Sequence, residues 1–354
     1  MIIDAHAHVF PNMATASGHK DALTHLLMQQ KRVGRFWGRM VSNTLDEKFR
    51  PNANEAIDFR VGQYGRYYWT KHGKECWLQR FPPMMQEMEW KPEQMIAFMD
   101  ICAVDMAVLQ AVYMEINYCR QYFSDCIKQW PDRFIGTVSI DYDIGKSEKH
   151  RSAELEKLRV AVLREGMRGV YQGFPRNQDP SDEAFNPLWE EISRLKIPHI
   201  FLTGFQPKAA YLQLINRIER VLRNFPELNG VMGHLGGNIR PSNDPDYAGT
   251  PRELLNVLRL PNAYFEVGYV LAYENWDVWG KNYEYPYPLH QELIKEIYDE
   301  IGAERLLWGS DMPNIYRTCT YQQCLDLVRL HFDFMSEAEK DRVLGKNAYN
   351  LFKT

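Results

Sequence analysis

The chain begins MIIDAHAHVF (residues 1–10), an apolar run that contains Asp4, His6 and His8. Side chains two residues apart on a β-strand point to the same face of the sheet. A strand over residues 2–9 therefore predicts these three polar residues on one face and the apolar residues between them on the other. Two imidazoles on one face can bind one metal ion, because imidazole is the commonest ligand of zinc and similar ions. The alternative interpretation is the solvated face of an ordinary sheet.

Short apolar segments recur later in the chain, and helical patterns separate most of them. The eight predicted strands are 2–9, about 106–112, 134–140, 167–173, 198–204, 229–234, 263–269 and 305–310. This alternation is typical of a parallel sheet in an α/β protein, and eight such units that close on themselves form a (β/α)₈ TIM barrel. An open doubly wound sheet is the alternative, although no glycine-rich phosphate loop follows any predicted strand.

Residues from about 11 to 90 interrupt this alternation. Their first part has helical spacing, and the later stretch VGQYGRYYWTKHGKECWLQRF (residues 61–81) is rich in aromatic side chains. We expect an aromatic-rich helical insertion after strand 1, within a single barrel domain that spans residues 1–354. Such an insertion could cover an active site or form a subunit interface, since interfaces favour aromatic residues, and it therefore predicts a homodimer.

The composition narrows the classes of partner. The net charge is −4 and the basic residues are dispersed, which predicts no nucleic-acid partner. No apolar run approaches the roughly 20 residues of a membrane span, and the first residues do not resemble a signal peptide. None of the six cysteines forms a C-x-x-C pair, which favours reduced, buried thiols in a cytoplasmic protein. We expect a small-molecule substrate.

The active site of such a barrel lies at the carboxyl ends of its strands. Polar residues collect there: His6 and His8 end the first predicted strand, His234 the sixth and Asp311 the eighth. The seventh strand adds Glu266, and the fourth adds Arg168 and Gln172. Each residue alone is weak evidence of a site. Together, at the ends of several strands of one barrel, they predict a metal or acid–base centre.

Several motifs resemble those of the amidohydrolase-related branch of the amidohydrolase superfamily, which includes the aminocarboxymuconate-semialdehyde decarboxylase type. The motifs are HAHVFP (6–11), PDRFIG (131–136), GHLGGN (233–238), WGSDMP (308–313) and GKNAYNLF (345–352). The resemblance covers strand 1 and the chain from about residue 91 onward, but not the insertion. It implies a metal-dependent barrel more strongly than it implies a substrate.

The resemblance also implies roles for individual residues. His6 and His8 match the metal ligands of the first strand, and Asp311 matches an aspartate that binds metal and takes a proton. His234 matches a histidine that handles protons near the substrate. The chain departs from the family at Leu202, where a metal-binding histidine is usual. We expect His199, three residues earlier, to face the other way and not to replace it.

The leading hypothesis is the decarboxylation of a small aromatic or conjugated carboxylic acid, assisted by a divalent metal. Zinc is the first expectation for that metal, with manganese or iron as alternatives. His234 would protonate the carbon, with Asp311 as second choice, and Arg168, Arg240 or Arg317 would hold a substrate carboxylate. Hydrolysis of a lactone or amide uses the same residues and is the alternative. A non-catalytic barrel used for binding is the second alternative.

Overall fold

The computed structural model describes residues 1–38, 40–141, 143, 147–174, 178–203, 207–237, 250–268 and 284–353. The strands in these ranges are β1 (Ile3–Ala7), β2 (Arg60–Val61), β3 (Arg66–Lys71), β4 (Lys74–Gln79), β5 (Met106–Leu109), β6 (Phe134–Val138), β7 (Met167–Gln172), β8 (His199–Phe201), β9 (Gly230–Met232), β10 (Ala263–Val267) and β11 (Leu306–Trp308). The α-helices in the same ranges are α1 (Ala22–Phe36), α2 (Pro92–Ile101), α3 (Ile116–Gln129), α4 (Glu148–Arg164), α5 (Asn186–Arg194), α6 (Lys208–Asn224), α7 (Arg252–Leu258), α8 (Pro288–Ile301), α9 (Tyr321–His331), α10 (Glu337–Asp341) and α11 (Asn347–Lys353).

Eight parallel strands form a barrel in the order β1-β5-β6-β7-β8-β9-β10-β11. The first and last strands of this order are joined at their carboxyl ends, because the amide of Asp311 donates to the carbonyl of His6 at 2.7 Å and the amide of His8 donates to the carbonyl of Met312 at 2.8 Å. The predicted TIM barrel is confirmed, and all eight predicted strands are present. Most strands end earlier than predicted, since their last residues leave the sheet for the loops above it; positions 204 and 269 lie outside the described residues.

Alternate residues of the strands fill the barrel interior. The interior cluster comprises Ile3, Ala5, Met106, Val108, Ile135, Tyr171, Ile200, Val231 and Leu307, together with Ala348, Leu351 and Phe352 of α11. The other strand face packs against the surrounding helices in a second, larger apolar cluster. Burial of these two faces drives the fold. Among the described residues, no helix is both long and apolar enough to cross a membrane.

A β-bulge in β1 changes which way its side chains point. The strand pairs Asp4 with Ala107 and Ala7 with Leu109, so β1 carries one residue more than β5 over this stretch. Ile3 and Ala5 therefore belong to the interior cluster, whereas Ala7 and Val9 belong to the outer one. Regular alternation resumes after the bulge and turns His6 and His8 inward. The prediction that Asp4 shares their face is wrong, because a bulge reverses the alternation on which it rests.

The insertion is helical only in its first part. α1 is followed by the antiparallel sheet β2-β3-β4, whose last two strands meet at His72 and Gly73. Both turn residues have positive φ, 50° and 72°, which is the two-residue hairpin turn that matches the twist of the strands. The expectation of a helical insertion is wrong for residues 60–79, since Tyr67 and Trp69 are buried alternately as in a strand. Gly73, which readily adopts a positive φ between two runs of alternating apolar residues, is the signal that indicates this hairpin.

Candidate metal centre and substrate cavity

Three side chains converge inside the carboxyl end of the barrel. His6, His8 and Asp311 each offer one ligand atom, and these atoms all lie within 4.8 Å of one another. His8 Nε2 is 2.8 Å from Asp311 Oδ1 and 3.3 Å from His6 Nε2, while His6 Nε2 is 3.8 Å from Asp311 Oδ1. All three residues are at most 3% exposed. The arrangement is a buried set of two imidazoles and one carboxylate.

The turn after β11 presents Asp311 to the two histidines. Its φ of 60° lies in the left-handed region, which costs a non-glycine residue about 1–3 kcal/mol and persists only where the surroundings hold it. The side-chain amide of Asn314 donates to Asp311 Oδ1 at 2.9 Å, and the backbone of Asp311 bonds to β1. The strained backbone therefore places the carboxylate where the sheet alone would not.

The second nitrogen of each imidazole is also occupied. His6 Nδ1 lies 2.9 Å from the Glu266 carboxylate, and His8 Nδ1 lies 2.9 Å from the backbone carbonyl of Gln110. Such contacts fix the ring orientation and leave both Nε2 atoms free to act as ligands, as in many metal sites. The side-chain amide of Gln110 also donates to the backbone carbonyl of Ala5, and this hydrogen bond stabilises the β-bulge of β1. This donor set fits a divalent cation.

The environment also favours the charge states that bind cations. Burial lowers the pKa of His6 to about 3, so the ring is neutral. Burial raises the pKa of Glu266 to about 7, although the charge of the neighbouring His234 acts to lower it. For Asp311, burial acts to raise the pKa, but the hydrogen bond and charge of His8 outweigh it and leave the pKa below the ordinary value. A neutral imidazole and an ionised carboxylate are the forms that coordinate metals.

His234 lies beside this cluster but is not one of its three donors. Its ring centroid is 4.6 Å from that of His6 and 6.5 Å from that of Tyr171. The left-handed backbone at φ 51° aims it there, and its amide donates to Glu266 at 3.3 Å. Burial, with a further contribution from His6, lowers its pKa to about 4. The side chain is thus placed next to the donors and is not fully buried.

A cavity of about 430 Å³ adjoins the site. Its wall includes Tyr113, Tyr171 and Leu202 from the barrel and one face of α1, made by Met28, Lys31, Arg32 and Arg35. Tyr171 also links the cavity to the centre, because its hydroxyl is 3.3 Å from His6 Nε2. His6, His8 and Asp311 do not themselves line this cavity, which reaches them only through Tyr171. A second cavity of about 730 Å³, with lining residues such as Glu190, Asn224 and Asn350, has neither Tyr171 nor a donor in its lining.

A comparison of the sequence with models of protein families identifies the family of this chain. A family model described as amidohydrolase matches residues 3–354. The chain belongs to the amidohydrolase family. This confirms the resemblance seen in the sequence motifs and makes the chain a member of an enzyme family. No curated protein sequence matches the chain.

Solved structures share the fold of this amidohydrolase. A 2,6-dihydroxybenzoate decarboxylase from Rhizobium gives a TM-score of 0.53 at 17% identity, over 75% of this chain and 89% of that one. A dihydroxybenzoic acid decarboxylase from Polaromonas with bound manganese gives 0.52 at 16%, over 75% and 87%. A probable 2-pyrone-4,6-dicarboxylic acid hydrolase from Acinetobacter baumannii gives 0.59 at 15%, over 100% and 99%. At such identities the likeness shows the fold alone.

The amidohydrolase departs from its motif pattern at the end of β8. Leu202 is half-buried, packs against the interior cluster and lines the cavity, so an apolar side chain occupies the position where a histidine is usual. His199 begins β8 on the outer face, with its ring centroid 4.2 Å from Phe201 and 5.3 Å from Trp189. It lies in the aromatic layer between barrel and helices, away from the three donors.

The three arginines expected to bind a carboxylate are not brought together. Arg168 is the second residue of β7, and its guanidinium donates to the carbonyls of Val162 and Met167 at the end where the strand begins. That prediction is wrong, because position along a strand decides which end of the barrel a residue reaches. Arg317 lies at the correct end but donates to the backbone carbonyl of Arg80. Arg240 lies outside the described residues.

The structure instead places other residues around the centre. Tyr113 stands between the metal centre and α1, since its ring centroid is 5.7 Å from that of His8. Its hydroxyl accepts from Arg80 and from Asn314, both at 3.3 Å. Sequence reasoning missed Arg80 and the cationic face of α1 because they belong to the insertion, which matches no motif. The helical spacing of Met28, Lys31, Arg32 and Arg35 is the signal that could have grouped them.

Proposed function

We propose that this amidohydrolase is a metal-dependent, non-oxidative decarboxylase of a small aromatic or conjugated carboxylic acid. The observation that carries the proposal is the buried set of His6, His8 and Asp311 beside a cavity whose wall is cationic. Related folds with decarboxylase activity bring this reaction into consideration but do not decide it. The cavity, about 430 Å³, lies within the usual range for small-molecule sites.

His6, His8 and Asp311 would hold the metal, for which we propose zinc first, with manganese or iron as alternatives. When bound, a divalent ion stabilises negative charge that develops on substrate oxygens and polarises a carbonyl or a water. Glu266 and the Gln110 carbonyl would keep the imidazoles oriented. His234, beside His6 and partly open to solvent, would deliver the proton to carbon after CO₂ leaves. Asp311 is the second candidate for that step.

Hydrolysis of a lactone or amide is the second candidate function. Asp311 favours it, because a carboxylate held between two imidazoles could take the proton of an attacking water. A fold relative described as a probable pyrone dicarboxylic acid hydrolase brings this reaction into consideration as well. A barrel used only for binding is the weakest proposal, since a cluster of buried titratable groups at the carboxyl ends of barrel strands is typical of a catalytic site.

The first experiment is elemental analysis of the purified protein, compared with a His6→Ala/His8→Ala variant. We expect close to one divalent ion per chain in the wild type and almost none in the variant. A His150→Ala/His331→Ala variant is the matched control and should keep the metal, because these histidines lie outside the cluster. A wild type that remains metal-free after reconstitution would contradict the metal-dependent function.

The second experiment separates the two reactions. The metal-loaded protein is given a panel of aromatic acids, with CO₂ release as the readout, and a panel of lactones, with acid release as the readout. Decarboxylation is supported by CO₂ release that is lost in His234→Asn and in the double histidine variant. Lactone cleavage without CO₂ release would replace the decarboxylase by the hydrolase.

We also propose a cytoplasmic location, because the six buried thiols favour a reducing compartment. A homodimer is proposed on the exposed apolar side chains of Leu23 and Leu27, which lie four residues apart on α1. Sedimentation velocity gives the assembly state directly.

A further inference from the structure

A tyrosine hydroxyl lies beside the histidines of the metal centre. Tyr171 belongs to the interior cluster of the barrel, and its side-chain oxygen is 3.3 Å from His6 Nε2. The two rings meet edge to face, with their centroids 5.3 Å apart and their planes at 90°. Tyr171 is only 3% exposed, so its side chain is almost fully buried. The centre therefore has an oxygen atom beside it that does not come from a carboxylate.

The hydrogen bond of this hydroxyl depends on the metal being absent. In the described part of the chain, the recorded partner of the hydroxyl is His6 Nε2. The ring nitrogen accepts this bond, because Nδ1 of His6 carries the proton toward the Glu266 carboxylate. A metal ion bound by His6 takes the same lone pair of Nε2. The hydroxyl then loses its acceptor, and a buried hydroxyl is costly to leave unpaired.

The distances around His6 match those between the ligand atoms of a tetrahedral site. An ion with bonds of about 2.0–2.1 Å to nitrogen and oxygen holds its ligand atoms about 3.3 Å apart. The distance from His6 Nε2 is 3.3 Å to His8 Nε2, 3.3 Å to the Tyr171 oxygen and 3.8 Å to Asp311 Oδ1. The tyrosine oxygen is thus as close to His6 Nε2 as a second ligand of the same ion needs to be.

The next inward positions of β7 and β8 supply no metal ligand. Tyr171 pairs with Ile200, so the following inward residues of the two strands are Gly173 and Leu202. These two residues lie against each other, since a Cβ atom at Gly173 would be 3.1 Å from Leu202 Cβ. Neither has a side chain that binds metal. Tyr171 lies one layer lower and carries its oxygen at the end of a long side chain, which reaches the metal centre.

We propose that the side-chain oxygen of Tyr171 is the fourth protein ligand of the metal. The proposal rests on the metal-dependent function proposed above and leaves the type of reaction open. When the metal binds, the hydrogen bond between His6 Nε2 and the hydroxyl is replaced by one bond from each atom to the metal, and the hydroxyl proton leaves to solvent. The ligands are then two nitrogen atoms and two oxygen atoms, a set that suits zinc, iron or copper.

The first test is the zinc affinity of Tyr171→Phe, measured by competition with a chelator on the full-length protein. The change removes only the oxygen. A lost ligand should weaken zinc binding by at least about tenfold, the lower limit seen when even a group that holds a ligand is removed. A hydroxyl that only donates to His6 competes with zinc, so its loss should strengthen binding about 2–10-fold. An affinity that is not lower than that of the wild type overturns the proposal.

The second test identifies the bound atom by its absorption spectrum. A tyrosine oxygen bound to iron(III) gives an intense visible charge-transfer band, which imidazole and carboxylate ligands do not give. We expect this band in the wild type loaded with iron(III), and its loss in Tyr171→Phe at the same iron content. Copper(II) gives a comparable band and is the second probe, because it binds nitrogen and oxygen ligands more tightly than the other divalent ions of the first transition row.

Tyr113→Phe is the matched control for the spectrum. The Tyr113 ring also lies beside the centre, with its centroid 5.7 Å from that of His8. Its hydroxyl, however, is bonded to Arg80 and to Asn314, both at 3.3 Å. This variant should therefore keep the band. Circular dichroism shows whether each variant is folded.

Two spectroscopic outcomes would overturn the proposal. One is a band that persists in folded Tyr171→Phe, and the other is a wild type without the band after loading with either ion. A wild type that binds metal through His6 and His8 without the band keeps the metal centre and refutes only the fourth ligand, whereas a wild type that binds no metal refutes both. A band without CO₂ release refutes the decarboxylase and keeps Tyr171 as a ligand.

Discussion

Strands β1 and β8 each carry histidine, yet they use it in opposite ways. In β1, His6 and His8 lie at the carboxyl end and point into the barrel, where they meet Asp311. In β8, His199 is the first residue and packs outward against Phe201. The inward position at the end of β8 belongs to Leu202. Residue type is thus secondary: the strand end and the strand face decide whether an imidazole can join the centre.

The two strands also differ in how they are held. β8 pairs with both neighbours in regular register over three residues. β1 contains a bulge, and its outward-facing Asp4 accepts hydrogen bonds from the backbone and hydroxyl of Ser310 at 2.9 and 2.5 Å and from Tyr321 at 2.9 Å. The hydrogen bonds of Asp4 therefore connect β1 to the turn that carries Asp311. The strand that supplies metal ligands, β1, is irregular and is hydrogen-bonded to the Asp311 turn through Asp4. The strand without metal ligands, β8, is regular.

The largest expected effect comes from breaking this link. Asp4→Ala leaves the donors of Ser310 and Tyr321 buried without their acceptor, and we expect a loss of about 3–5 kcal/mol in the free energy of unfolding. Urea denaturation of the metal-free protein measures it, so that lost metal does not contribute.

Asp4→Asn is the control for that measurement. The amide keeps one acceptor oxygen and nearly the same volume, so the loss should be smaller than for Asp4→Ala. Equal stability of wild type and Asp4→Ala would show that the link between β1 and the Asp311 turn carries no free energy.

A smaller effect concerns the outward histidine of β8. Burial lowers the pKa of His199 to about 3, while the unfolded chain has an ordinary histidine pKa near 6.5. As pH falls below about 6.5 the unfolded chain binds a proton that the folded chain does not, so stability is lost with falling pH, by about 2 kcal/mol at pH 5. His199→Leu should remove this part of the pH dependence.

Urea denaturation at pH 7 and pH 5 provides the measurement. Wild type should lose about 2 kcal/mol more than His199→Leu between the two pH values. His150→Leu, a change at a partly exposed histidine on α4, should behave as the wild type. An identical drop in wild type and His199→Leu would mean that His199 is not held neutral by its aromatic surroundings.

The sequence predicted the barrel and the meeting of His6, His8 and Asp311 because both depend on local patterns. Strand–helix alternation is visible in any window, and polar residues at strand ends follow from it. The bulge in β1 and the sheet of the insertion were missed, since one extra residue or a hairpin turn leaves the apolar pattern almost unchanged. The place of Arg32 in the cavity wall could not be predicted, because it depends on a contact with Tyr113, which lies far from it in the chain.

The smallest expected effect comes from making β8 resemble β1. Leu202→His places an imidazole at an inward position of the cavity wall, where it would compete with the oxygen of Tyr171 for the fourth position of the four-coordinate set that zinc prefers. We expect a gain in zinc affinity of less than tenfold, about 1.4 kcal/mol at most, since burial of a polar ring opposes it. Competition with a chelator measures the affinity, and Leu202→Asn, polar but a poor zinc ligand, is the control. A zinc affinity of Leu202→His that is no higher than that of Leu202→Asn would show that the side chain at position 202 does not reach the donors, and that the apolar wall of the cavity is what Leu202 supplies.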